Sequence, residues 1–249
     1  MKVYYNEFDK KKCAALKALM DDGHISKGDI DDRSIHDVQP GELKDYERCH
    51  FFAGIGLWDY ALNLARWSED HRVWTGSCPC QPYSTAGRQK CKADDRHLWP
   101  EWERLIKESK PPVIFGEQVA SAVSHGWLDD VYQGLEAEGY AVGSAVLPAC
   151  SVGAPHKRDR LWLVASNDGS QRIQGRRQEA VQGQPAFSWC EDVRGIEDLR
   201  DRPNLPKPII RSYDDGNTEG VGIVHAAGDA IVPQVAAGFI QAAFQGARK

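Results

Sequence analysis

A proline followed directly by a cysteine, Pro79 and Cys80, is the pattern in this sequence that most strongly indicates covalent chemistry. The segment Gly76–Ser84 reads GSCPCQPYS and follows the run Arg72–Thr75, which predicts a strand. Proline fixes its own φ and favours an extended conformation at Cys78, so the direction of the Cys80 side chain is restricted. A thiol held in one direction at a strand end is the arrangement expected of a nucleophile.

Two other interpretations of these cysteines remain open. Many cysteines are simply buried as small apolar residues. Alternatively, zinc could be bound by the soft ligands Cys78, Cys80, Cys91 and His97. Paired zinc ligands are usually separated by two to four residues, whereas one residue separates Cys78 from Cys80. The spacing therefore favours the nucleophile, and we expect no bound metal.

Charged residues beside two other predicted strands could work with such a nucleophile. Glu117 follows the apolar run Val113–Gly116, and a carboxylate at a strand end in a cleft is a candidate general acid or base. Arg158 and Arg160 precede the apolar run Leu161–Ala165, and alternate residues of a strand project to one side. An exposed charged edge would give the same basic pattern.

Two further segments indicate a nucleotide-like ligand. Phe52–Gly56 reads FAGIG between a predicted strand and a predicted helix, where glycines let the backbone turn tightly and approach a ligand. That pattern alone also occurs in ordinary tight turns. Glu7 follows the predicted strand Val3–Tyr5, and an acidic residue in that place is the expected partner of ribose hydroxyls. Asp9 could instead cap the helix that follows.

The elements that must position these residues alternate along the chain. Predicted strands cover residues 3–5, 49–52, 73–76, 113–115, 139–142 and 161–165, and predicted helices cover 9–19, 57–67, 98–107, 127–138 and 231–244. This alternation predicts an α/β fold with a doubly wound, mostly parallel sheet. We expect one domain from residues 1–165 plus 225–249, and a small irregular region at 166–224, where Gly, Gln, Arg and Pro are frequent.

The composition is that of a globular protein of 249 residues, with 41% hydrophobic and 27% charged residues. No apolar run reaches the roughly 18 residues of a membrane span, and the N-terminus lacks the apolar core of a signal peptide. The 7 cysteines are odd in number and lack disulfide-framework spacing, which is typical of a reducing cytoplasm. A net charge of −5 argues against general binding to nucleic acid, but it is compatible with a local basic cleft.

The segment around Cys80 resembles the Pro-Cys-Gln motif of the DNA (cytosine-5) methyltransferases, in which the cysteine attacks the target base. Glu117 and the two residues after it resemble the family's Glu-Asn-Val motif. Arg158 and Arg160 match the arginines of its Gln-x-Arg-x-Arg motif. The resemblance implies that Cys80 is the nucleophile, that Glu117 acts at N3 of cytosine, and that the two arginines hold the base.

The same resemblance implies a binding site for S-adenosylmethionine. FAGIG resembles the family's Phe-x-Gly-x-Gly-Gly motif, Glu7 and Phe8 resemble the residues that bind the ribose and pack on the adenine, and Asp29 resembles the residue that reads the adenine amino group. The implied cofactor-binding residues are Glu7, Phe8, Asp29, Ile30, Phe52, Ala53, Gly54, Ile55, Gly56, Pro79, Leu98 and Asp229. Some positions depart from the family motifs: Leu57, Gln118, His156 and Asp229 stand where the motifs have Gly, Asn, Gln and Asn.

The order of these motifs is unusual. In the family the Phe-x-Gly-x-Gly motif comes first, whereas here the ribose and adenine motifs precede it. The cofactor pocket requires these strand ends to be adjacent in space only. The sheet is therefore preserved if residues 31–46 cross from the strand at Asp29 back to the strand before Phe52.

On this resemblance the substrate is double-stranded DNA with a target cytosine that is flipped out of the helix. Residues 166–224 occupy the position of the family's target-recognition region. The implied DNA contacts are Gln81, Ser84, Arg96, Lys157, Arg172, Arg176 and Arg177. We expect a cytoplasmic monomer of bacterial or phage type, with a restriction endonuclease as an optional companion. A transfer-RNA cytosine-5 methyltransferase and a catalytically silent DNA-binding relative remain as alternatives.

Overall fold

The described part of the protein, residues 1–79, 98–154, 156–167 and 230–245 of a computed structural model, forms a seven-stranded sheet flanked by helices. The strands are β1 (Val3–Asn6), β2 (Asp29–Asp31), β3 (Arg48–Phe51), β4 (Val73–Gly76), β5 (Val113–Val119), β6 (Ala141–Leu147) and β7 (Arg160–Ser166). The helices are α1 (Lys10–Asp21), α2 (Leu57–Leu64), α3 (Trp99–Ser109), α4 (Trp127–Ala137) and α5 (Pro233–Gln245).

The strands lie in the order β2-β1-β3-β4-β5-β7-β6. All pairings from β2 to β5 are parallel, whereas β7 pairs antiparallel with both β5 and β6. The predicted mostly parallel sheet is therefore confirmed. The carboxyl ends of the parallel strands meet at one edge, which is where ligands bind in sheets of this kind.

Both faces of the sheet are covered, because alternate residues of each strand point to opposite sides. Trp74 and Ile114 are buried in a core with residues of α3 and α4. Their neighbours Val73 and Phe115 are buried in a second core with residues of α2 and α5. Helix α1 covers Val3 and Tyr5 of β1 through a third cluster. The doubly wound architecture predicted from the sequence is confirmed.

Strand β1 lies between β2 and β3, so the chain passes from β2 across β1 to reach β3. The connection contains two short 3-10 turns, Ile35–Asp37 and Pro40–Leu43. Ile35, Val38 and Leu43 of this connection are buried in the same core as α3. The crossing segment is thus part of the packed fold. It places β1, the strand that Glu7 directly follows, beside β3, the strand that leads into FAGIG.

Several boundaries differ from the sequence predictions for local reasons. Helix α2 ends at Leu64 and not at Trp67, because Arg66 adopts a positive φ of 56°. Strand β6 begins at Ala141 and not at Gly139, because Gly139 has a positive φ of 86° and turns the chain after the end of α4. Strand β5 extends to Val119 because its antiparallel pairing with β7 continues that far. The hydrophobic pattern does not predict β2, since two of its three residues are aspartates, whereas the family resemblance implies a strand at Asp29.

No helix within the described residues is both long enough and apolar enough to span a membrane.

Candidate active site

A cavity of about 640 Å³ opens at the carboxyl ends of the parallel strands. Its walls come from the residues that directly follow β1, β3 and β4, from the last part of β5, from the start of β7 and from the residues before α5. Lining residues include Glu7, Phe8, Phe52, Ala53, Gly54, Ile55, Leu57, Trp58, Ser77, Cys78, Pro79, Leu98, Glu117, Gln118, Arg160, Ala230 and Ile231. Most of the predicted site residues that the structure describes therefore lie around one cavity.

Glu7 lies at one end of this cavity, directly after β1. Its Oε1 accepts a hydrogen bond from the backbone N–H of Asp9 (2.9 Å), and its Oε2 accepts one from the backbone N–H of Gly54 (2.7 Å). Glu7 is buried, with 9% of the residue exposed. Asp9 caps α1 by accepting from the N–H of Lys11, so the predicted cap is confirmed. The Glu7 carboxylate is fixed between two backbone segments and turned toward the cavity.

The FAGIG segment forms a tight turn between β3 and α2. Gly54 and Gly56 have positive φ angles of 59° and 82°. A Cβ on Gly56 would lie 2.6 Å from Ile25 Cδ1 and 2.9 Å from Leu16 Cδ2, so glycine permits the close packing of this turn on α1. A Cβ on Gly54 would meet nothing within 4 Å. The turn is therefore closely packed on one side at Gly56 and has open space at Gly54.

Glu117 lies at the other end of the cavity, in β5. Its Oε1 is 3.0 Å from Nε of Arg160, and Glu117 itself is 8% exposed. Burial raises the pKa of the Glu117 carboxyl, while the charge of Arg160, a hydrogen bond from Ser77 and the charge of Arg158 oppose that increase. Glu117 is thus a buried carboxyl whose protonated form is favoured by burial and whose ionised form is favoured by its neighbours, as expected of a group that transfers protons.

The residues after β4, which precede the predicted nucleophile in the chain, are held by two side-chain hydrogen bonds. The Trp58 indole N–H donates to Ser77 Oγ (3.0 Å), and the Gln118 side-chain amide donates to the carbonyl of Cys78 (3.4 Å). Burial, followed by the charge of Glu117, raises the pKa of the Cys78 thiol well above its usual range. Cys78 therefore stays protonated near neutral pH and is a poor nucleophile.

Comparison with protein families gives a family model described as "C-5 cytosine-specific DNA methylase", which matches residues 2–208. The chain belongs to this family.

Two curated relatives are similar to part of this chain. Type II methyltransferase M.HhaI of Haemophilus parahaemolyticus is 33% identical over 99 residues, which are 38% of this chain and 30% of that protein. Type II methyltransferase M.MspI of Moraxella sp is 34% identical over 136 residues, 51% of this chain and 32% of that protein. The chain thus spans about a third of the length of these relatives.

A solved structure of a DNMT2 mutant from Spodoptera frugiperda superposes on this chain with a TM-score of 0.45 and 13% sequence identity. The superposed part covers 71% of this chain and 53% of the DNMT2 chain.

Arg158 and Arg160 do not lie on the same strand, contrary to the prediction. Strand β7 begins at Arg160, and Arg158 has a positive φ of 38°, so the expected alternation of the two side chains along a strand is wrong. Arg158 instead donates to the carbonyl of Ala230 (2.8 Å), before α5. Lys157 is largely exposed and pairs with Asp159 (2.9 Å).

Some predicted site residues lie away from the cavity or outside the described residues. Asp29 accepts a hydrogen bond from the Tyr46 hydroxyl (2.7 Å), and neither Asp29 nor Ile30 lines the cavity. Gly56 supports the turn from behind. The predicted residues outside the described ranges are Cys80, Gln81, Ser84, Arg96, Arg172, Arg176, Arg177 and Asp229, and so is most of the region 166–224. Their roles stay predictions.

The zinc interpretation also depends on residues outside the described ranges, namely Cys80, Cys91 and His97. The described ranges contain no cluster of His, Cys, Asp or Glu side chains that could hold a metal ion.

The sequence analysis did not identify several residues that line the cavity. Ser34, Ile35 and His36 reach it from the 3-10 turn after β2, and Trp58 and Ser77 reach it from α2 and from the end of β4. The one local signal is Ser34, whose side chain accepts from the N–H of His36 as a turn cap. The places of Trp58 and Ser77 depend on contacts between distant parts of the chain.

Proposed function

We propose that this chain transfers a methyl group from S-adenosylmethionine to C5 of a cytosine in DNA, through a covalent bond between Cys80 and the base. The observation that carries the proposal is the position of Glu117. This buried carboxyl is paired with Arg160 and faces the same cavity as Pro79, the residue directly before Cys80.

The end of the cavity near Glu7 suits the cofactor. A carboxylate has about four acceptor positions, so the two backbone hydrogen bonds leave Glu7 able to accept from ribose hydroxyls. Phe8 is 74% exposed at the cavity and offers a ring face to a planar base. Gly54 leaves the backbone open to a ligand. A volume of about 640 Å³ is within the usual range for sites that bind molecules of this size.

S-adenosylmethionine, when bound, supplies the methyl group that ends on C5. Glu7 and the turn at Gly54 hold and orient the ligand at this end. The base is held at the opposite end, between Glu117 and the segment that carries Cys80. Reactants held in this way react as if they were one molecule, which is a large part of the catalytic effect.

Cys80 and Glu117 act together on the cytosine ring. The Cys80 thiolate adds to C6, and as the new S–C bond forms, ring electrons shift to N3, which takes a proton from Glu117. C5 then has the character of an enamine carbon. After methylation, the N3 proton returns to Glu117 and C5 loses its proton to a base. The S–C bond then breaks with its electrons on sulfur, which restores the aromatic ring and the free Cys80.

Arg160 keeps the Glu117 carboxyl in place and contributes positive charge where the ring gains electron density. Arg158 ties the start of β7 to Ala230, and thus to the segment that closes this side of the cavity. The target base must leave the DNA stack to reach such a recessed site. Lys157, which is exposed, and the arginines of region 166–224 are proposed to contact phosphates.

The test is methyl transfer from labelled S-adenosylmethionine to DNA and, in parallel, to transfer RNA. We expect the wild-type protein to label DNA and Cys80→Ser to lose the activity, because a hydroxyl is a far weaker nucleophile at neutral pH. Cys150→Ser, which changes an exposed thiol, is the matched control and should stay active. Labelling of transfer RNA alone, or full activity of Cys80→Ser, would contradict the proposal.

A further inference from the structure

Ser77 lies between Trp58 and Glu117 in the wall of the cavity. The Trp58 indole nitrogen is 3.0 Å from Ser77 Oγ. Ser77 directly follows Gly76, which pairs with Gly116 between the parallel strands β4 and β5, so Ser77 lies beside Glu117. A hydrogen bond from Ser77 lowers the pKa of the Glu117 carboxyl. All three residues line the same cavity, and Ser77 is placed as the link between the indole of helix α2 and the carboxyl in β5.

The direction of these hydrogen bonds is fixed by chemistry. An indole N–H can only donate, and an ionised carboxylate can only accept. A serine hydroxyl has one proton and two lone pairs. Ser77 must therefore accept from Trp58, and its own proton is left to be donated to Glu117.

Trp58 is held firmly in its donating position. It is 2% exposed. Its ring stacks on Phe115 with a centroid distance of 6.4 Å, and it meets the ring of Trp162 edge-to-face at 5.7 Å. A buried indole usually has a partner for its N–H, and Ser77 is that partner here.

We propose that Trp58 and Ser77 are positioning residues for Glu117, and that the hydrogen-bond chain they form sets the protonation state of this carboxyl. The inference rests on the proposed function, because Glu117 is the acid of that reaction. In addition, it assigns a role to helix α2, which follows the FAGIG turn: Trp58 in this helix acts through Ser77 on the Glu117 carboxyl.

Among the described residues, the charged and titratable groups that face Glu117 come from two other segments. Arg160, which begins β7, and Arg158, just before it, contribute positive charge, and Cys78 contributes a buried thiol after β4. The arginines and Ser77 favour the ionised carboxylate, whereas burial favours the protonated form. Removing Ser77 therefore shifts this balance toward the acid.

The test is a titration of the Glu117 side-chain carboxyl by ¹³C NMR in the whole protein without added ligand, with Glu117→Gln to assign the signal. We expect the pKa of Glu117 to increase in Ser77→Ala, because a donor to the charged form is lost. Ser77→Thr keeps the hydroxyl and should titrate like the wild type. An unchanged pKa in Ser77→Ala would overturn the proposal.

Trp58→Phe tests whether the effect passes through Ser77. We expect it to raise the pKa of Glu117 in the wild-type background and to have no effect in the Ser77→Ala background. Trp102→Phe is the control, because its buried indole N–H has no partner among the described residues and lies in the core on the other face of the sheet. An equal effect of Trp58→Phe in both backgrounds would overturn the relay. If Trp58→Phe does not fold, the comparison of Ser77→Ala with Ser77→Thr decides.

The pH dependence of methylation separates this proposal from the proposed function. Because Glu117 must be protonated to act as the acid, the loss of activity at high pH should begin at a higher pH in Ser77→Ala than in the wild type. A wild-type protein that does not methylate DNA contradicts the proposed function, while the NMR titration still decides the role of Ser77. An active wild type whose Glu117 titration is insensitive to Ser77 contradicts the inference alone.

Discussion

The Glu7 Oε2 atom accepts a 2.7 Å hydrogen bond from the backbone N–H of Gly54, although the two residues are 47 positions apart in the chain. This bond joins the strand end that precedes α1 to the turn that precedes α2. The two parts of the proposed cofactor site are thus held together despite their separation along the chain.

Glu7→Gln should weaken S-adenosylmethionine binding, because the charge-assisted hydrogen bonds to the ribose are lost. Such bonds contribute about 1.5–3 kcal/mol, which corresponds to a roughly 10- to 100-fold higher Kd. Titration calorimetry measures the effect, and circular dichroism checks that the turn at Gly54 stays folded. Glu69→Gln, an exposed change remote from the cavity lining, serves as the control. Equal affinity of all three proteins would argue against the role of Glu7.

Asp29 gives a separate test of the same site. We expect Asp29→Ala to weaken cofactor binding if its carboxylate reads the adenine amino group. Tyr46→Phe removes the partner that the structure shows for Asp29 and leaves the carboxylate in place, so it should not reduce the affinity. If calorimetry finds wild-type affinity for Asp29→Ala, its carboxylate serves Tyr46 and not the cofactor.

The strand ends are the part of this site that the sequence predicts well. Glu7 and Glu117 each follow or extend a buried apolar run, and parallel strands present their carboxyl ends at one edge. The tight turn at FAGIG is equally predictable from the sequence, since Gly54 and Gly56 adopt positive φ angles, which favour glycine. These features are local in the sequence, and the fold brings them together without further information.

Other features of the site depend on tertiary contacts that no local pattern encodes. The Trp58–Ser77 hydrogen bond joins residues in different elements. The left-handed backbone at Arg158, which turns its side chain toward Ala230, is unusual for a residue with a side chain. The partner of Asp29 comes from the crossing segment, whose course follows from the position of β3 on the far side of β1.

Gly56→Ala should destabilise the protein, because its Cβ would lie 2.6 Å from Ile25 Cδ1 and its φ is 82°. Strain and overpacking of this kind cost about 1–3 kcal/mol. Urea denaturation measures the loss. Gly41→Ala, where a Cβ meets nothing within 4 Å and φ is not in the left-handed region, is the matched control. Equal stability of the two variants would show that the turn is less closely packed than described.

Asp59→Asn tests the buried ion pair behind the FAGIG turn, where Asp59 Oδ1 is 2.7 Å from Arg48. Burial raises the pKa of Asp59, but the neighbouring His50 ring, the backbone N–H of Ser26 and the charge of Arg48 lower it by more, so the net pKa is below its usual range. Because Asp59 binds a proton more weakly in the folded state, it stabilises the fold above its unfolded pKa of about 3.9 and loses that effect as the pH falls. Removing one partner of a buried pair costs about 3–5 kcal/mol.

We therefore expect the free energy of unfolding of Asp59→Asn to be lower than that of the wild type at pH 7, and the difference to shrink as the pH falls below about 4. Urea denaturation at a series of pH values measures it. Asp45→Asn, at an exposed carboxylate, is the control. A difference that stays constant down to low pH would contradict the ion-pair role.

We propose that Cys80 forms a covalent bond to the target cytosine during the reaction. Incubation with S-adenosylmethionine and DNA that contains 5-fluorocytosine tests this bond. Fluorine replaces the C5 hydrogen that must be removed as a proton before the cysteine is released, so the adduct persists. Mass spectrometry of the digested complex should find the nucleotide on the peptide that contains Cys80, and Cys80→Ser should form no adduct. A DNA adduct on another cysteine, or methylation of ordinary DNA by a protein that never forms an adduct, would contradict covalent catalysis by Cys80.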